Sequence, residues 1–238
     1  MPFADRTSPP DLLARVLYRD GLILVIDKPA GWPVHSGPSG RPSLEDHFDQ
    51  LRFGLPRLPA LAHRLDADTS GCLVLGRHPK ALRKLGRLFS SGAVGKTYLA
   101  VVKGAPPAED GVIDLPLAKV SSRHAGWRMV VDDTAGKPAV TRYRRLAQHG
   151  DECLMELSPQ TGRTHQIRVH LAALGCPIIG DAKYGQPEFS GIVAMKLHAL
   201  RISLPLRQGR PPVRVTAPPP QNFISEKFKD IPFIINNR

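Results

Sequence analysis

His63-Arg64-Leu65-Asp66-Ala67-Asp68-Thr69-Ser70-Gly71, followed directly by Cys72-Leu73-Val74-Leu75, is the stretch from which the rest of the chain is read. Thr69, Ser70 and Gly71 disfavour helix, and Asp66 and Asp68 favour caps and turns. The nine residues are too polar for a buried strand, whereas the four that follow form a short apolar run of core-strand character. A polar loop delivered by a core strand is where a rigid scaffold presents reactive groups, and Asp66 is the candidate within it. The same residue types also build ordinary Asx turns that do no chemistry, so the loop alone does not decide.

The chain has 238 residues, 42% of them hydrophobic, which suffices for one large domain or two small ones and excludes general disorder. Lys and Arg total 33 against 21 Asp and Glu, a net charge of +12 that suits a polyanion, nucleic acid before others. No basic amphipathic helix or lipidation signal is visible, so a membrane is not an expected partner. Cys72, Cys153 and Cys176 are widely spaced and odd in number, giving neither a disulfide framework nor a Cys-x-x-Cys metal pair. Met1 to Pro10 lacks a signal-peptide core, and the apolar run Leu22–Ile26 is too short to span a bilayer. A soluble protein of a reducing compartment, assigned to the cytoplasm, is expected.

Upstream of the loop, Val16–Tyr18 and Leu22–Asp27 read as a hairpin turning on Asp20-Gly21, and Lys28-Pro29-Ala30-Gly31 ends its second strand. A Gly/Pro/Ser-rich loop spans 33–42. Ser43 and Asp46 then resemble a capping box for a helix with Leu44, Phe48 and Leu51 on one face. Downstream, Pro79 opens a helix that uses Leu82, Leu85, Leu88 and Phe89 and stops at Gly92. Strands are expected over 96–103, 111–115, 126–131, 139–146, 153–157, 200–204 and 213–215. Thr164 is expected to cap a helix over 165–174, closed by Gly175 and Pro177, with Ile167, Leu171 and Leu174 inward. Strands outnumber helices without regular alternation, so the expected class is α+β with a largely antiparallel mixed sheet. One domain over 15–220 is expected, between a loose segment at 1–14 and an extension at 221–238 in which Pro232 to Ile235 is a candidate docking segment.

Three other signals fail on context. Gly92-Ala93-Val94-Gly95-Lys96-Thr97 resembles a phosphate loop, but its first Gly is too close and a strand follows instead of a helix. Asp68-Thr69-Ser70-Gly71 resembles an aspartic-protease loop but lacks the second carboxylate loop that chemistry requires. His165 and His170 are five apart on the expected helix and do not share a face, so no metal site is expected.

The block His63-Arg64-Leu65-Asp66 with Thr69-Ser70-Gly71 resembles the catalytic loop of the RluA-type pseudouridine synthases. Three further blocks match in the family's order: Lys28–Gly31, Lys96-Thr97-Tyr98, and Gly162-Arg163-Thr164-His165-Gln166-Ile167-Arg168-Val169-His170. Leu197-His198-Ala199 and Ala217-Pro218 resemble its closing segments. The resemblance covers residues 15–220. It departs at Cys72 and Gly76, where the family usually has Leu and Ala, and it implies the short form without an S4-type domain.

The resemblance implies isomerisation of a uridine in ribosomal or transfer RNA by a monomer without a cofactor. The C1′–N1 bond breaks, uracil turns over, and C5 joins C1′. Asp66 is then the acting carboxylate, either as nucleophile or as base toward a ribose proton. A carboxylate kept dry under a base tends to take up a proton, and a guanidinium counters this. Alignment with the family assigns that role to Arg168, with Arg163 as the competing choice. Tyr98 stacks on the uracil and helps remove the C5 proton; without the resemblance it reads as a cross-strand aromatic. The base must be flipped out of its stack, and Arg64, two residues before Asp66 and so on the same side of an extended segment, is the candidate to replace it. Lys28, Arg163, His165 and Lys183 are the further candidates for RNA contact. The rival reading is a non-catalytic RNA-binding or ribosome-assembly protein that keeps the fold.

Overall fold

The computed structural model describes residues 10–37, 40, 42–122, 126–185, 193–221, 223–224 and 228. The start of the expected loose N-terminal segment, three residues of the 33–42 loop and the Pro232–Ile235 docking candidate lie outside them. In chain order the strands and helices are β1 (Val16–Arg19), β2 (Ile23–Lys28), a 3₁₀ helix (Glu45–Leu51), β3 (Ala60–Leu61), β4 (Ser70–Gly76), α1 (Pro79–Ser90), β5 (Gly95–Lys103), β6 (Asp110–Asp114), β7 (Leu117–Ser122), β8 (Gly126–Val131), β9 (Val140–His149), β10 (Glu152–Pro159), α2 (Gln166–Ala173), β11 (Leu197–Leu204) and β12 (Val213–Thr216). The class is α+β, with mostly antiparallel strand pairs, a parallel pair between β4 and β11, and few helices. Among the described residues no helix is long and apolar enough to cross a membrane. The chain divides into two compact units, Met1–Lys96 with His198–Pro220, and Thr97–Leu197 with Gln221–Arg238.

In the first unit β1 and β2 form the expected hairpin, and the Asp20 carboxylate accepts the backbone N–H of Leu22 at 2.7 Å and of Ile23 at 2.8 Å. This is the Asx chemistry that makes Asp-Gly a turn. β2 pairs antiparallel with β4 from Ile23 opposite Gly76 to Lys28 opposite Gly71. β11 lies parallel to the start of β4, with His198 opposite Ser70, and β12 extends it antiparallel. All seven residues of β4 are buried, as a continuous apolar strand requires. Leu73, Val74 and Leu75 each contribute roughly 1.5–3 kcal/mol of burial. α1 starts at Pro79, its first N–H groups capped by His78, whose Nδ1 accepts from Ala81 at 3.2 Å. The segment after Ser43 departs from expectation. Leu44, Phe48 and Leu51 are buried as read, but the turn is 3₁₀. Asp46 is shorter than the Glu of a full capping box, and it accepts both the Ser43 N–H at 2.7 Å and the Ser43 hydroxyl at 3.1 Å.

In the second unit the strand order is β5-β10-β9-β6, all antiparallel, with β7 and β8 as a separate two-stranded ribbon. β7 was not expected: its sequence, Leu-Ala-Lys-Val-Ser-Ser, alternates weakly and only Leu117 is buried. Ile167 and Leu171 of α2 enter the core made by Ala100, Val102, Met155 and Leu157, while Val169 joins Leu117, Met129 and Ala139 of the ribbon side. Every residue from Gln166 to Leu171 is buried. Thr164 does not cap this helix. The preceding position is His165, in a left-handed conformation (φ 53°), and Gln166 folds back to accept from the Arg163 N–H at 3.0 Å and the Thr161 hydroxyl at 2.7 Å. Gly175, at φ 79°, ends the helix as expected.

Candidate active site

The loop from His63 to Thr69 is held at both ends and in its middle. At its start, His63 Nε2 accepts the Val74 N–H at 3.0 Å, and the ring stacks on Phe89 with centroids 4.7 Å apart. Burial pushes this imidazole down to about 4, so it is a neutral acceptor. In the middle, the Ala67 carbonyl accepts both the Gly31 N–H at 2.9 Å and the Lys28 ammonium at 2.8 Å. Lys28 donates its other observed bond to the Pro29 carbonyl at 2.8 Å. The Thr69 N–H closes a turn on the Asp66 carbonyl at 3.1 Å.

At the end of the loop, Ser70 Oγ lies 2.9 Å from His198 Nδ1, and His198 Nε2 lies 3.1 Å from the Ala217 carbonyl. Because a carbonyl only accepts, Nε2 carries the proton and the Ser70 hydroxyl donates to Nδ1. Both side chains are buried, and burial holds His198 near 4, which makes this a clamp and not a nucleophilic Ser–His pair. Gly71, at φ 105°, passes so close to β11 that a Cβ there would lie 2.3 Å from the Ala199 carbonyl. The blocks Lys28–Gly31, Leu197–Ala199 and Ala217-Pro218 therefore serve one loop. Within it Leu65 is buried between exposed Arg64 and half-buried Asp66. The alternation leaves Arg64 and Asp66 on the opposite side from the anchoring Leu65.

Lys28 is a correction. Expected from its position to contact RNA, it is 0% exposed and turned inward. A strand-end lysine opposite Gly71 has no side chain in its way, so its stem follows the sheet interior to the Ala67 carbonyl. Burial lowers its pKa to about 7 against the opposing pull of Asp68, Asp66 and Asp27.

The remaining assigned residues belong to the second unit. Tyr98 is half-buried on β5, opposite Leu157, and packs on the core. Arg168 is buried on α2, donating from Nε to Asp181 Oδ2 at 2.8 Å and from Nη2 to Oδ1 at 2.7 Å. Its guanidinium also lies 5.1 Å from the centre of the Tyr184 ring. Burial would raise Asp181, but this two-point bond, with the Lys183 and Tyr184 N–H groups on Oδ1, keeps it below the ordinary carboxylate range. Sequence reading missed Asp181 and Tyr184; the signal was Gly180-Asp181 before Lys183-Tyr184, an Asx turn by composition. Arg163 is exposed, with Nε donating to the Pro138 carbonyl at 3.0 Å. His165 and Lys183 meet on the ring of Trp127, which no motif had indicated.

A sequence model described as RNA pseudouridylate synthase matches residues 22–173, more than half the chain and the part that contains the loop, β5 and α2. The chain belongs to the RNA pseudouridylate synthase family. An uncharacterized RNA pseudouridine synthase of Zymomonas mobilis is 47% identical over 92% of this chain and 100% of its own length. Ribosomal large subunit pseudouridine synthase D of Xanthomonas campestris is 38% identical over 91% of this chain and 69% of its own. Among solved structures, human RNA pseudouridylate synthase domain containing 4 superposes with a TM-score of 0.75 at 28% identity, covering 89% of this chain and 91% of that one. Family membership makes the chain an isomerase of the pseudouridine-forming class, and the family acts on RNA. Asp181, His198 and Ala217, which complete the two clamps, lie beyond the matched residues.

Proposed function

We propose that this protein converts one specific uridine of ribosomal or transfer RNA to pseudouridine, with Asp66 as the acting carboxylate on a flipped-out nucleotide. The observation that carries the reading is the fixed backbone around Asp66. Its own carbonyl, the next carbonyl and the side chain before it are all tied down, while the carboxylate-bearing residue stays half-exposed. Catalysis by one group needs such preorganisation. Asp66 acts at C1′ or on a ribose proton, the uracil rotates, and the C5 hydrogen leaves as a proton once C5 has joined C1′. N1 regains a proton, so the conversion balances without oxidant or water.

Arg168, its plane set by Asp181, is proposed as the guanidinium partner of Asp66 in the reaction, and Tyr98 to stack on the uracil and assist loss of the C5 proton. Arg64, exposed and on the Asp66 side of the loop, is proposed to fill the vacated stack. Arg163, which is exposed, is proposed to meet phosphate. The relative named large-subunit synthase D supports ribosomal RNA over transfer RNA. A cytoplasmic location is proposed, with which three buried free thiols agree, and the protein is proposed to act as a monomer.

The test is tritium release from RNA labelled at uridine C5. Intact protein is expected to release label, and Asp66→Asn to abolish release while still binding RNA. Release that survives the substitution removes Asp66 from its role. Arg64→Ala is expected to slow turnover on structured RNA more than on an unstructured oligonucleotide, and equal losses would remove Arg64. Sequencing of cellular RNA for pseudouridines lost on deletion identifies the target.

A further inference from the structure

The β7–β8 ribbon carries an exposed aromatic in a basic setting that the reaction above does not use. Trp127, opposite Ser121, is 38% exposed, and its indole stacks on the His165 ring with centroids 5.0 Å apart and planes at 26°. The Lys183 ammonium lies 3.9 Å and the Lys119 ammonium 5.0 Å from the same ring centre. Neither strand contains an acidic residue, and Arg128 adds a guanidinium over Tyr184 at 5.5 Å. The platform has a rigid base: the Tyr184 hydroxyl accepts the Met129 N–H at 3.0 Å and lies 2.8 Å from His165 Nδ1.

A latch that merely pinned the ribbon would not require two ammonium groups over one half-covered indole. Lysine stems are flexible, and a cation held over an aromatic face in water gains only about 0.5–1 kcal/mol. A nucleotide offers both things this arrangement selects, a π face for the indole and a phosphate for the ammonium groups.

We propose that Trp127 is a stacking platform for an unpaired base of the RNA substrate, with Lys119 and Lys183 moving from the ring to the adjoining phosphates. The inference rests on the RNA reading above and names one subsite of that substrate: single-stranded, not duplex. His165 backs the indole and so acts as a positioning residue for it.

Trp32, the other tryptophan, is only 8% exposed, so Trp32→Phe leaves Trp127 as the fluorescent reporter. The probes are a single-stranded RNA of about twelve nucleotides and the same strand in a duplex. The single strand is expected to quench Trp127 saturably and the duplex to leave it unquenched. Base stacking of the usual size predicts that Trp127→Leu weakens single-strand binding by about tenfold, while Trp127→Phe keeps most of it and duplex affinity is unchanged. Equal losses for both probes, or none, overturn the proposal. Should Trp127→Leu fail to fold, Lys119→Gln with Lys183→Gln serves instead. It is expected to reduce the salt slope of single-strand binding by about 1.4, and an unchanged slope overturns the proposal. Quenching that persists while no RNA releases tritium sinks the isomerase assignment and leaves this subsite standing; release without quenching does the reverse.

Discussion

Replacing Lys28 by Met tests whether the loop is held by a buried charge. Met keeps the length of the side chain and removes the ammonium and its bonds to the Pro29 and Ala67 carbonyls. Burial lowers Lys28 from 10.5 to about 7, so 10.5 − 7 gives about 3.5 pH units by which folding disfavours the charged form. At roughly 1.4 kcal/mol per unit this is about 5 kcal/mol against the charged form, the net left after the attraction of Asp68, Asp66 and Asp27. Losing the buried charge therefore offsets losing its hydrogen bonds, and Lys28→Met is expected to fold. The pH dependence separates them. Between about pH 7 and 10.5 the unfolded chain binds the proton that the folded chain has lost, so the wild type gains stability as pH rises. From about pH 7 to about pH 9 this gain is about 2 kcal/mol, and Lys28→Met lacks it. Urea unfolding of both proteins at the two pH values gives the difference, in which every other titrating group cancels. With the Ala67 carbonyl released on one side, Asp66 loses part of its fixed geometry, and kcat is expected to fall about 100-fold with a smaller change in KM. Parallel stability curves for the two proteins, or an unchanged kcat, refute the reasoning.

Asp181→Ala leaves the Arg168 guanidinium buried without the carboxylate that orients it, and a loss of about 3–5 kcal/mol in urea unfolding is expected, together with slowed tritium release. A loss below about 1 kcal/mol would mean that the pair is not maintained in solution. His198 is neutral in the fold, near 4 against 6.5 for an ordinary histidine, so its share of stability is fully present above about pH 6.5. That share, about 3 kcal/mol, is lost as pH falls through about 4, and NMR titration is expected to show neither His198 nor His63 protonating between about pH 5 and 8. Gly71→Ala combines a disfavoured φ with a Cβ pressed against the Ala199 carbonyl. Conformational strain alone is about 1–3 kcal/mol and the clash adds to it, so the variant is expected to unfold at markedly lower urea. Wild-type stability in Gly71→Ala would show that β11 yields at that point.

How far the sequence could be read follows from the range of the forces involved. The hairpin at Asp20, the Pro79 helix and the buried strand after Gly71 rest on turn chemistry, capping and apolar runs, each decided within a few residues, and each stands where expected. The 3₁₀ turn after Ser43 and the bare cap at His165 depart from local propensity for a related reason: a single side chain, Asp46 in one case and Gln166 in the other, bonds back into its own loop and overrides the propensity of its neighbours. The clamps around Asp66 were beyond local reading altogether. Lys28 looks on paper like any surface lysine, and only the passage of its strand opposite Gly71 turns it inward. Ser70 and His198 are 128 residues apart, and Arg168 and Asp181 are 13 apart, one on α2 and the other in the loop that follows it. Each pair needs a tertiary arrangement before either partner acquires meaning. Trp127 is the extreme case, since a lone aromatic in a weakly alternating strand carries no pattern, and its setting of His165, Lys119 and Lys183 exists only once three segments have met. What local chemistry announces is therefore the reactive carboxylate, and what it conceals is the set of groups that hold that carboxylate still.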